Sequence, residues 1–199
     1  TDALFWDRQA AKYARDPIAD QAGYEHSLKR TQSLLKPTDH VLEIGCGTGS
    51  TALHHAPSVA ELVGTDISPE MIAIAKDKLA ATDHSHVDFV AASADEEVVA
   101  PESQDVVMAH NILHLVNDLP ATLTAIHDGL KPGGILIAKT PCLKAMSPLI
   151  TYLAIPLMRL FGKAPYVAIF SAEELRATIE RAGFTVEAEE DHASVKKKR

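Results

Sequence analysis

Three glycines at alternate positions, Gly45, Gly47 and Gly49, follow directly on the apolar run His40 to Ile44 (HVLEI), and Asp66 closes the next such run, Glu61 to Thr65 (ELVGT). A strand that runs into alternating glycines and then into a helix lets backbone approach a ligand with no Cβ in the way. It also turns the amide N–H groups of the helix start toward an anion. An acid at the tip of the second strand, about 20 residues beyond the loop, is placed to accept hydrogen bonds from ribose hydroxyls. Together the loop and the acid predict a nucleoside-containing ligand at the switch point of a parallel sheet. A tight strand-to-helix connection would explain the glycines alone; it would not explain Asp66.

Two ligand classes fit this geometry. A dinucleotide site wants G-x-G-x-x-G, whose last glycine would fall at position 50, and Ser50 stands there. The chain also lacks a Tyr-x-x-x-Lys pair. An NAD(P)-dependent oxidoreductase is therefore the alternative reading, and Ser50 is the residue that counts against it. Among the ten histidines, His110 and His114 lie one helical turn apart beyond the fourth strand, close to where a second substrate would arrive, which makes His114 a weak candidate general base. The pairs His54/His55, His84/His86 and His110/His114 have no third ligand at a recognised spacing, so no metal is expected.

The elements that would position these residues alternate short apolar runs with helical segments, the pattern of an α/β fold with a doubly wound, mostly parallel sheet and helices on both faces. Ser50 to Ala56 reads as a short helix stopped by Pro57. Ser68 reads as an N-cap with Pro69 at the first helical position, and Met71, Ile72, Ala75 and Leu79 share one apolar face. Val87 to Ala91 and Asp105 to Ala109 are the third and fourth strands. A helix follows over about Leu119 to Leu130, then the turn Lys131-Pro132-Gly133-Gly134 and a fifth strand, Ile135 to Lys139. Ser171 and Glu174 form a capping box that opens a helix ending at Gly183, and Phe184 to Ala188 reads as a sixth strand. Only His192 to Arg199 remain for a seventh, so the final antiparallel strand is expected to be truncated or absent.

VLEIGCGTG (Val41 to Gly49) resembles the first motif of the class I S-adenosylmethionine-dependent methyltransferases, and GTDIS (Gly64 to Ser68) resembles their second. DVVMAHNILHLV (Asp105 to Val116) and LKPGGILI (Leu130 to Ile137) resemble the segments of strands four and five, with a weaker echo in FSAEELRATIERAGFTVE. The resemblance implies a Rossmann-like methyltransferase fold, S-adenosyl-L-methionine as cofactor and methyl transfer to a small-molecule acceptor. It implies that Gly45, Cys46, Gly47 and Gly49 lie against the methionine part, with Glu43 orienting the amino group. Asp66 would hold the ribose, and Ile67 and Met71 would pack near the adenine. Ser93 falls where the family usually has an aspartate facing the adenine amino group, with Asp95 as a substitute acceptor and Ala94 supplying a backbone N–H. His110 and Asn111 would line the pocket through backbone atoms, and Tyr13 and Tyr24 would close it. A cofactor-binding protein without activity is a further alternative.

One domain of 199 residues is expected, divided into an N-terminal helical cap (1–39), a cofactor-binding core (40–140), a variable substrate-side insertion (141–170) and a C-terminal helix and strand (171–199). The insertion holds Leu149 to Phe161 (LITYLAIPLMRLF), apolar nearly all round and broken by Pro156. It suggests a hydrophobic acceptor pocket or a patch resting on a membrane surface, against the plainer alternative of a hairpin packed on the sheet or a partner subunit. The net charge of −8 disfavours nucleic acid as substrate, the more so because four cations are confined to the terminal run Lys196 to Arg199. Cys46 and Cys142 form no disulfide or zinc pattern. With no signal-like or membrane-spanning run, the expectation is a cytoplasmic protein.

Overall fold

Val41 and Leu42 are adjacent and both buried, yet they pack into different cores, because successive strand side chains leave on opposite faces of a sheet. In the computed structural model, which describes residues 2–94, 100–145, 149 and 155–191, this alternation runs through β1 (His40–Ile44), β2 (Glu61–Asp66), β3 (Val87–Ala91), β4 (Gln104–His110) and β5 (Leu130–Lys139). The order is β3-β2-β1-β4-β5, every neighbouring pair parallel. The helices are α1 (Asp2–Arg15), α2 (Gln21–Gln32), α3 (Ser50–His55), α4 (Pro69–Ala80), α5 (Leu119–Gly129), α6 (Ile155–Leu160) and α7 (Ala172–Arg181).

One face of the sheet carries Val41, Leu62, Phe89, Val106 and Met108 against Ala52 of α3 and Ile72 and Ala75 of α4. The other carries Leu42, Ile44, Val107 and Ala109 against Leu123 and Ile126 of α5 and Leu175 and Ile179 of α7. Sheets covered on both faces read as nearly continuous apolar strands, which is why HVLEI and DVVMA stood out. Phe89 is fully buried, and a Cβ added at Gly49 or Gly64 would come within 2.7 Å of its ring. The first core thus supports the glycine loop from below, and Phe89→Ala would cost about 3–5 kcal/mol through the cavity it leaves.

The helix starts follow their caps. Ser68 Oγ accepts the Met71 N–H at 3.1 Å, and Ser171 and Glu174 complete the expected capping box. Two boundaries differ from expectation. The helix after the glycine loop ends at His55, and Ala56–Ser58, containing Pro57, continue as a 3-10 turn. The fifth strand begins at Leu130, not Ile135, so the Lys131–Gly134 turn is a bulge inside a strand; Lys131 Nζ holds it to Asp105 at 2.8 Å while Gly133 takes φ +80°.

The sixth strand is corrected. Half-buried Phe184 and Val186 alternate with exposed Thr185 and Glu187, but the segment joins no ladder. Phe184 is held instead by its ring, edge-on to His127 at 5.2 Å. Strand geometry needs a neighbour to pair with, and among the described residues none lies along the outer edge of β5. Residues 192–199, on which the seventh strand and the basic run would fall, lie outside those described, as do residues 150–154 of the run Leu149 to Phe161.

Candidate functional site

The chain reverses its direction of travel across the sheet between β1 and β4, and in such sheets ligands bind beyond the carboxyl ends of the strands at that switch point. Period-two alternation assigns the polar residues there to one face. Glu43 follows Val41 on β1, Asp66 follows Leu62 and Gly64 on β2, His110 follows Val106 and Met108 on β4, and Lys139 follows Ile135 and Ile137 on β5. All four belong to the face covered by α3 and α4.

Asp66 faces the loop. Its Oδ2 accepts the Gly47 N–H and its Oδ1 accepts the Ser68 N–H, each at 2.9 Å. Burial raises its pKa, and the N–H bonds from Ser68 and Gly47 oppose that shift. Each carboxylate oxygen has two lone pairs, so both oxygens can accept again from a vicinal diol.

Three of the loop amides are already engaged. Cys46 N–H donates to Thr65 O at 2.8 Å, Gly47 N–H is taken by Asp66, and Gly49 N–H donates to Cys46 O at 3.0 Å. The glycines therefore serve by omitting side chains more than by offering donors. At Gly45 (φ +64°) an added Cβ would lie 2.6 Å from Ile112. At Gly47 (φ +55°) the nearest group is the Tyr13 ring, 3.7 Å away. Cys46 turns its thiol into the core, where burial and then the Glu43 and Asp66 charges raise its pKa.

Glu43 lies beneath the loop, 2% exposed. Its Oε1 meets His110 Nδ1 at 3.4 Å, and His110 Nε2 meets Thr31 Oγ1 of α2 at 3.4 Å. Its Oε2 is buried with no hydrogen-bond partner; a bound ammonium would answer it. Asn111 takes φ +57° and donates its N–H to Lys139 O at 2.6 Å, so it shapes the turn that lays Ile112 on Gly45 and offers no amide to a ligand. Of the two residues expected beside the adenine, Ile67 is 38% exposed and Met71 only 2%, so Ile67 alone presents free apolar surface. Ser93 and Ala94 are half-buried just beyond β3, where Ala92 N–H donates to Asp66 O at 2.9 Å; Asp95 lies outside the described residues.

His114 stands apart, on the side of Thr140, whose Oγ1 it meets through Nδ1 at 3.0 Å. Burial pushes its pKa down to about 4. The other histidine pairs are edge-to-face contacts, His54/His55 at 5.0 Å and His84/His86 at 5.6 Å. An open groove at the opposite end of the strands, lined by residues such as Glu61, Leu62, His86 and Asp88, holds none of the expected site residues.

Three residues carry the site without a sequence signal. Lys78 of α4 donates to Thr48 O at 2.9 Å, Thr48 Oγ1 at 2.8 Å and Ser50 Oγ at 2.9 Å, which fixes the far side of the loop. Asp7 of α1 accepts Ser68 Oγ–H at 2.6 Å and Glu70 N–H at 3.3 Å, which ties the N-terminal helix to the first turn of α4. Lys139 is half-buried, and burial lowers its pKa against the pull of Asp20. Tyr13, further along α1, lies over Gly47; desolvation first, then Tyr24, Asp66 and Glu43, raises its phenol. Tyr24 meets Thr51 at 3.3 Å.

Residues 42–136 match a family described as "Methyltransferase domain". The demethylmenaquinone methyltransferase of Symbiobacterium thermophilum is 31% identical over 121 residues, 59% of this chain and 47% of that protein. The ubiquinone biosynthesis O-methyltransferase of Sinorhizobium fredii is 29% identical over 178 residues, 87% of this chain and 69% of that protein. The chain thus spans about half the length of the first and somewhat over two thirds of the second. An S-adenosylmethionine-dependent methyltransferase from Mesorhizobium loti shares the fold, with a TM-score of 0.69 at 20% identity over 85% of this chain and 84% of that one.

Proposed function

Because this chain carries a class I S-adenosylmethionine-dependent methyltransferase domain, we propose that it moves the cofactor methyl group to a small, hydrophobic acceptor. The observation that carries the reading is the Asp66 carboxylate, turned into the loop crevice and oriented by two backbone amides with lone pairs left for a ribose diol. The buried, unpartnered Glu43 Oε2 suits the cofactor's ammonium. Ile67 suits the adenine face, and the glycines admit the chain between them. Ser93 and Ala94 are assigned to the adenine edge and His110 to the pocket wall.

Bound there, S-adenosylmethionine supplies a methyl on a sulfonium, already activated for in-line displacement. What the protein adds is alignment and exclusion of water. Tyr13 over Gly47 and the helices α1 and α2 cover the crevice. His114, held to Thr140 and neutral at pH 7 with a pKa of about 4, is a poor general base, so positioning is the main contribution. The two relatives named for demethylmenaquinone and for ubiquinone biosynthesis support an apolar, ring-bearing acceptor here. The reading keeps one domain, with 1–39 as cap, 40–140 as cofactor core, 141–170 on the acceptor side and 171–199 as the C-terminal segment, whose α7 packs on the second face. It places the enzyme in the cytoplasm, in keeping with free Cys46 and Cys142, and gives it no nucleic-acid substrate.

The test is mass spectrometry of a lipid-rich cell extract incubated with the protein and cofactor carrying a deuterated methyl. A product heavier by one trideuteromethyl group is expected. No labelled product, together with no calorimetric binding of S-adenosylhomocysteine, would overturn the reading.

A further inference from the structure

Residues 129–172 contain five Lys and Arg and not one Asp or Glu, in a chain whose net charge is −8. Lys131 and Lys144 of this stretch are paired with Asp105 and Glu174, and Lys139 lies at the switch point. Arg159 and Lys163 have no carboxylate partner among the described residues. They sit in a segment, Pro156 to Lys163, in which every residue is exposed, including Leu157, Met158, Leu160 at 79% and Phe161 at 69%. Large apolar side chains interleaved with cations, held clear of the body, match the chemistry of a lipid interface, where apolar groups enter the acyl boundary and cations meet anionic headgroups.

The patch adjoins the start of α1. The Arg159 guanidinium lies over the Tyr166 ring at 5.0 Å, and Tyr166 N–H donates to Asp2 Oδ1 at 3.4 Å, at the start of the helix that carries Tyr13. We propose that Leu157–Lys163 docks this protein on the surface of an anionic lipid bilayer, on the side from which an apolar acceptor would arrive. Charge complementarity selects this occupant. A second copy docked through the same patch would bring like cations together, and four apolar side chains fall well short of the roughly 800 Å² per partner of a stable interface. The inference goes beyond methyl transfer and does not depend on it.

The experiment is cosedimentation of the full chain, without cofactor, with vesicles of phosphatidylcholine alone and with about one-third phosphatidylglycerol. Binding to the anionic vesicles only, weakened by salt, is expected. Arg159→Gln with Lys163→Gln should weaken it by about 25-fold, roughly fivefold per charge. Leu160→Ser with Phe161→Ser should abolish it while leaving circular dichroism and S-adenosylhomocysteine affinity unchanged. Binding indifferent to lipid charge, or none, overturns the proposal. So does a dimer seen by ultracentrifugation that Leu160→Ser with Phe161→Ser dissolves. Because no methyl transfer is measured, failure here leaves the enzymatic reading standing, and the reverse holds as well.

Discussion

Asp66 Oδ2 accepts the Gly47 N–H at 2.9 Å, a bond that joins the end of β2 to the turn after β1. The acid therefore does two things: it holds the loop in shape and it presents its remaining lone pairs to a ligand. Asp66→Ala is expected to weaken S-adenosylhomocysteine binding by about 1–3 kcal/mol, the scale for hydrogen bonds to a charged group. Isothermal calorimetry checks it, and unchanged affinity would remove Asp66 from the site.

Gly45 and Ile112 make a second testable pair. Gly45→Ala places a Cβ 2.6 Å from Ile112 in a residue already at φ +64°, so it should lower stability by about 1–3 kcal/mol in urea unfolding. Adding Ile112→Ala removes the Cγ1 and Cδ1 contacts but keeps a Cβ 2.8 Å away, so it should relieve part of the steric cost and leave the backbone part. Strictly additive costs in the double variant would show that the two residues are not coupled.

Lys78 grips the loop from the opposite side. Lys78→Met keeps the length of the stem and loses all three hydrogen bonds to Thr48 and Ser50. About a tenfold loss of cofactor affinity is expected from a loop that must be ordered on binding, with the unfolding midpoint lowered less than in Gly45→Ala. Full affinity in this variant would mean that the loop holds its shape without the latch.

The loop, the acid and most strands were legible in the sequence because their causes are local. Ser68 caps the residue three places on, and the core strands announce themselves by apolar runs. Lys78 and Asp7 were not legible, because their partners lie 30 and 61 residues away and an exposed-looking Lys or Asp in a helix carries no pattern. The sixth strand was overread for the same reason in reverse. Phe184 to Ala188 has the right alternation, but pairing is a property of a neighbour that the segment itself does not contain. That the Cys46 and Gly47 amides are taken was not legible either, because Thr65 and Asp66 claim them only once β2 lies beside β1.

Acid should destabilise the fold through its histidines. His55 is fully buried, with Nδ1 on Gln32 at 3.2 Å and Nε2 unpartnered. Burial, then His54 and His110, pushes its pKa down to about 4, and burial does the same to His114. An unfolded-chain imidazole titrates near 6.5, so between about pH 4 and 6.5 the unfolded state binds more protons and stability rises with pH. The contribution is complete above pH 6.5 and lost on descent toward 4, amounting to at most about 3 kcal/mol for His55. Urea midpoints measured across this range should flatten in His55→Gln. An unchanged slope would assign the acid sensitivity elsewhere.

The seam between Asp7 and the first turn of α4 constrains how anything gets in. A helix that answers the hydroxyl of Ser68 and the amide of Glu70 cannot swing aside as a free flap; each departure strands donors that had been satisfied. Ligand traffic beneath Tyr13 is thus geared to the stitching in the middle of the same helix. Removing residues 1–15 would accordingly be felt first at the corner after β2, in the orientation of Asp66, and only afterwards as a loss of shelter.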